Sequence, residues 1–142
     1  MMLTASPKRR ATQRGNTTME TGLVLILLTI CSLFIIEFGR AVWVYNTLSH
    51  ASRAALRYTL VRGTENPAST ADIATVVRQN APGLTPGDIN VQTTFNPDRT
   101  RGSMVTVQVS YPFNFVLNPA LDTSNQSLTM NLRSTSAGII DQ

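Results

Sequence analysis

From Thr21 to Ile36 the chain reads TGLVLILLTICSLFII, sixteen residues without a formal charge, bracketed by Glu20 and Glu37. A helix that spans a bilayer needs ~20 apolar residues to cross ~30 Å of hydrocarbon. The uncharged run alone is slightly short, but Phe38, Ala41, Val42, Trp43, Val44 and Tyr45 extend its apolar character. Asn16 to Trp43 is 27 steps. At ~1.5 Å per residue that is roughly 40 Å, the thickness of a bilayer with its headgroup zones. Trp43 and Tyr45 then sit at the far interface, where amphipathic aromatic side chains collect. This segment predicts a single-pass membrane helix over residues 16–43.

Charge sets the orientation and removes some functions. Residues 1–15 hold Lys8, Arg9, Arg10 and Arg14 and no acid, whereas residues 16–142 hold eight bases and eight acids. The whole net charge of +4 therefore sits in a basic leader. A nucleic-acid partner is not expected, because the remainder of the chain carries no excess of cations. A basic flank before the apolar run places the N-terminus in the cytoplasm and residues from about 46 onward outside. The chain has one cysteine, Cys31, so no intramolecular disulfide can form. With His50 as the only histidine, and with scattered acids, neither a protein-built metal site nor another cofactor is expected. No Ser/His/Asp or Cys/His constellation falls outside the membrane and no glycine-rich phosphate loop follows a strand, so the chain reads as a non-enzyme. Asp98, Arg99 and Arg101, at the tip of an expected hairpin, read as an exposed polar loop.

Three kinds of processing compete at the apolar run. A secretory signal would need a small-residue cleavage site after the run, where Glu37-Phe38-Gly39-Arg40 is a poor substitute. A lipoprotein signal would use Cys31, but Ile30 precedes it where Gly or Ala is wanted. The third reading cuts before the run, at Gly15. The sequence RGNTTMETGLVLILL puts Gly15 behind the basic leader and Glu20 five residues later, at the head of the run. It resembles the prepilin signal of type IV pilins and pseudopilins. That resemblance implies that a membrane aspartyl prepilin peptidase cuts between Gly15 and Asn16 on the cytoplasmic side. The physical sense is independent of the resemblance. An unpaired carboxylate at the edge of hydrocarbon costs a few kcal/mol. A new ammonium at Asn16 could neutralise Glu20 on the same or a neighbouring subunit and set the axial register between packed helices. Glu20 could also simply favour the start of the helix, where the macrodipole welcomes an acid.

Beyond the interface the pattern stays helical. Ala41, Val44, Leu48, Ala51, Ala55 and Tyr58 follow 3-4-3-4-3 spacing and form a narrow apolar stripe. Asn46, His50, Arg53 and Arg57 form the opposite stripe. They read as a solvated face in preference to a phosphate or headgroup site. Glu37 and Arg40, at i and i+3, can pair with each other or between subunits. Arg62-Gly63 ends the helix, with a cation in its last turn and a glycine just past it. The stretch LFIIEFGRAVWVYNTLSHASRAALRYTLVRG resembles the TadE-like pseudopilins of the tight-adherence (Flp) pilus system. The residues that carry the likeness are Glu37, Phe38, Gly39, Arg40, Tyr45, Asn46, Leu48, Ala51, Arg53, Arg57, Tyr58, Arg62 and Gly63.

The outer part, residues 63–142, opens with a polar linker from Thr64 to Thr70. Thr70 is expected to cap a short helix from Ala71 to about Gln79, with Ile73, Val76 and Val77 on one face. Ile89, Val91, Thr93 and Phe95 alternate with polar residues, as do Met104 to Tyr111, with a hairpin loop of Asn96 to Ser103 between them. Pro112 ends the second strand or marks a sheet edge. Leu128, Met130 and Leu132 suggest a third strand. The expected class is α+β: a long helix, a short helix and a three-stranded antiparallel sheet covered by the second half of the long helix. V-x-V-x-V-x-Y-P-F also resembles the TadE-like outer domain. The resulting division is a leader over 1–15, a long helix over 16–62 and an outer domain over 63–142. The resemblance implies a minor pilin-like subunit of the bacterial inner membrane, with its outer domain in the periplasm. Its implied roles are in tight-adherence pilus assembly or initiation, and thus in adhesion or secretion. The implied partners are the lipid bilayer, other pilin-like subunits, the prepilin peptidase and the assembly platform proteins. The competing reading is an uncleaved single-pass protein whose outer domain binds an envelope component.

Overall fold

A computed structural model describes residues 10–63, 66–116 and 129–141, with side chains from residue 17 onward. In chain order the elements are helix α1 (Arg10–Arg62), helix α2 (Thr70–Gln79) and strands β1 (Asn90–Asn96), β2 (Met104–Asn114) and β3 (Thr129–Ile139). The strands form one antiparallel sheet in the order β1-β2-β3. The class is α+β, as the sequence predicts. The chain divides into two compact units, Met1–Phe38 and Gly39–Gln142. Residues 1–9 of the leader, Thr64 in the linker, and Leu128 lie outside the described residues.

Helix α1 begins at Arg10, six residues before the start at Asn16 that the sequence suggests. Ala11, Gln13 and Arg14 favour helix intrinsically, so the helix extends ahead of the apolar run that announces it in the sequence. At its other end Gly63 has φ 57° and its N–H bonds the Leu60 carbonyl at 3.2 Å. A left-handed residue there is comfortable only without a Cβ, which is why the helix stops at Arg62.

Within the unit Gly39–Gln142, Val44, Leu48, Ala51 and Ala55 of α1 are buried in one core with Ile73 and Val77 of α2 and Val105, Val107, Val109 and Phe113 of β2. Ala41 and Tyr58, the ends of the expected stripe, are partly buried against that core. Asn46, His50, Arg53 and Arg57 are exposed, as a solvated stripe requires. Helix α2 is capped by Ser69 and not by Thr70: Ser69 Oγ accepts the Asp72 N–H at 3.1 Å, and Asp72 Oδ2 accepts the Ser69 N–H at 3.3 Å. A cap at Thr70 would place Ile73 in the reciprocal position, where no side-chain acceptor exists; a cap at Ser69 places Asp72 there.

Strand β2 runs through Pro112 to Asn114. Its neighbour β1 begins at Asn90, opposite Ser110, so from Tyr111 onward β2 is an edge on that side and tolerates a residue without an N–H. Strand β3 is far longer than the three alternating residues announce. Past the inward-facing Leu132, its inward positions are filled by Ser134, Ser136 and Gly138 and not by large apolar residues. Ser52 Oγ lies 3.3 Å from Ser134 Oγ and 2.9 Å from Ser136 Oγ, and Ser49 Oγ lies 3.1 Å from Ser134 Oγ. A Cβ on Gly138 would stand 3.0 Å from Leu60 Cδ1 and 3.4 Å from Leu56 Cδ2. Helix and strand therefore approach closely through short side chains whose hydroxyls satisfy one another.

Candidate membrane and assembly helix

The apolar run is exposed along nearly its whole length: Leu23 to Leu28, Ile30, and Leu33 to Ile36 all present side chains to the surroundings. By length and composition the helix over Thr17–Arg62 can cross a membrane. The polar side chains of this stretch bond to their own helix. Thr21 Oγ1 donates to the Thr17 carbonyl at 2.9 Å, Thr29 Oγ1 to the Leu25 carbonyl at 2.8 Å and Ser32 Oγ to the Leu28 carbonyl at 2.9 Å. Each hydroxyl thus satisfies itself four residues back, the form in which Ser and Thr are tolerated in hydrocarbon.

The site residues picked from the sequence fall at separate levels of this helix. Gly15 and Asn16 lie in its backbone ahead of the first described side chain, and Glu20 is exposed. Glu37 is 6% exposed. Arg40 places its guanidinium 5.1 Å from the centre of the Phe113 ring. Trp43 is half exposed, with its indole against the turn at Gly83. Gly83 has φ 77°, and a Cβ there would stand 2.7 Å from Trp43 Cη2, so glycine is required twice over. Tyr45 is also half exposed. The structure gathers Arg40 and Trp43, with Phe113 and Tyr111, around a cleft of about 190 Å³ at the end of β2. The Y-P-F signature after the alternating valines was the sequence signal for that cleft, but alternation alone could not say which helix residues meet it.

Among the described residues no three His, Cys, Asp or Glu side chains come together as a metal would need. The hairpin loop between β1 and β2 is ordered by Asp98, whose Oδ1 accepts the Thr100 hydroxyl, the Thr100 N–H at 3.0 Å and the Ser103 hydroxyl at 3.0 Å. The Thr100 hydroxyl, then its N–H, then the Ser103 hydroxyl hold the Asp98 carboxyl below the ordinary aspartate range. A carboxylate lowered in the folded state stabilises the loop above its unfolded pKa, and that contribution is lost as pH falls through the folded value. The Thr100 amide and Ser103 resonances should therefore stay constant from neutral pH down to about pH 4 and move only below it. Movement of both near pH 6 would show that Asp98 does not hold the loop.

Residues 15–57 match the model of the TadE-like protein family. The match starts on Gly15 and takes in Glu20, the apolar run and the Glu37-Phe38-Gly39-Arg40 stretch. No curated protein and no solved structure matches the chain significantly.

Proposed function

From the family match over residues 15–57 we infer that the chain is a membrane-anchored pilin-like subunit, a pseudopilin, that acts in the assembly or initiation of a tight-adherence pilus. The observation that carries this reading is the coincidence of that match with an apolar helix whose side chains are left uncovered. A lipid-soluble helix with one acid at its head is suited to lateral stacking with like helices. The chain sits in the bacterial inner membrane, N-terminus inside, with the unit Gly39–Gln142 largely outside. The prepilin peptidase removes residues 1–15, and the Asn16 ammonium then neutralises Glu20 on the same or an adjacent subunit. Other pilin-like subunits and the assembly platform are the partners.

The mature mass of the membrane-extracted protein tests this. Loss of Met1 through Gly15 is expected; an intact N-terminus in cells making the appendage would favour an uncleaved anchor. Glu20→Ala should leave insertion and cutting intact yet reduce recovery of co-assembled pilins. Equal recovery from wild type and variant would remove the ammonium pairing.

A further inference from the structure

A second opening lies between the two helices of the unit Gly39–Gln142, a groove of about 590 Å³ beside the buried stripe of α1. Ala54, Tyr58 and Val61 of α1 and Val76 of α2 give it apolar walls, and Val61 is 70% exposed. His50 stands at its edge, and Arg57 and Arg62 add charge there. From Phe38 to its end at Arg62, α1 carries four arginines and no acid. Arg62 is held in place, 4.7 Å over the Tyr58 ring and 3.9 Å from Asp72. His50 and Arg57, seven residues apart on one side of the helix, make no hydrogen bond or ion pair among the described residues.

We propose that this groove docks a helix of a partner protein that carries carboxylates beside an apolar face. An amphipathic helix would set its i, i+3 and i+4 side chains against the apolar walls. Its carboxylates would meet the Arg57 guanidinium, which can receive them in a two-pronged bond. Charge complementarity selects this occupant over a second copy of the chain. The only acid on α2 is Asp72, already engaged by the Ser69 N–H and standing next to Arg62, and the only acids on α1 are the two that bracket its apolar run. A lipid surface fits less well, because Arg57 lies fourteen residues past Trp43. That is about 21 Å of helix rise beyond the expected interface. The inference rests on the unit Gly39–Gln142 alone and does not need Gly15 to be cut.

The test is a photo-crosslinking amino acid at Val61 in the full chain, in cells that make the protein natively, with Thr94 on the open sheet face as the control site. An adduct at Val61 and not at Thr94 is expected, with the linked peptide, identified by mass spectrometry, coming from an acid-bearing helical segment of another protein. Arg57→Glu, an exposed change checked for folding by Trp43 emission, should lower the yield by roughly fivefold or more, because it sets like charges opposite one another. No adduct, an adduct to lipid or to a second copy, a linked peptide without acids, or a yield unchanged by Arg57→Glu would each overturn the proposal.

Discussion

Phe113→Ala is expected to destabilise the unit Gly39–Gln142 by about 3–5 kcal/mol, the usual cost of emptying a buried aromatic site. The Phe113 side chain is 1% exposed. Its ring meets Phe115 edge-on, centroids 5.3 Å apart at 90°, and carries the Arg40 guanidinium on its face. Such an aromatic pair adds about 0.5–1.5 kcal/mol beyond area burial, and a cation over a ring at a surface site about 0.5–1 kcal/mol. One truncation removes all three contributions. Small domains hold a total of about 5–15 kcal/mol, so a fifth of the stability or more is at stake. Trp43 is the chain's only tryptophan and belongs to this unit, so its emission during denaturant titration in detergent reads the midpoint directly. A loss under about 1 kcal/mol would mean that the end of β2 is not part of the cooperative core.

Leu48→Ala should cost about 2–5 kcal/mol in the same titration. Leu48 is completely buried at the middle of the α1 stripe, between Val44 and Ala51. Alanine is at least as good a helix former as leucine, so the measured loss reports packing and not helix propensity. The control stands on the same helix. Asn46 is exposed on the opposite stripe, and Asn46→Ala should stay within about 0.5 kcal/mol of wild type. Equal effects at 46 and 48 would contradict the sidedness of α1.

The α1 stripe, the first two strands and their hairpin could be read from periodicity because each is written in large apolar residues at fixed spacing. Leu48 among Ala51 and Ala55, and Val105, Val107 and Val109 among polar neighbours, leave one arrangement for each element. Strand β3 could be read that way only at its start, from Met130 and Leu132; its length escaped for a physical reason. Its later inward positions, Ser134, Ser136 and Gly138, are chosen for closeness to the helix, so hydropathy does not mark them. Glu20, Glu37 and Trp43 stand out in the sequence by chemistry and position. That Trp43 lies against Gly83, and that Arg40 stands over Phe113, depends on contacts between positions some forty to seventy residues apart, which no local pattern encodes.

The burial of Leu48, Ala51 and Ala55 with the valines of β2 sets where the chain can be trimmed for work in water. A fragment that starts after Arg62, at the seeming domain border, would discard one wall of its own interior and present Val105, Val107 and Val109 to solvent. Starting at Gly39 keeps that wall and sheds the greasy stem, so the natural seam of the molecule runs through the middle of a helix.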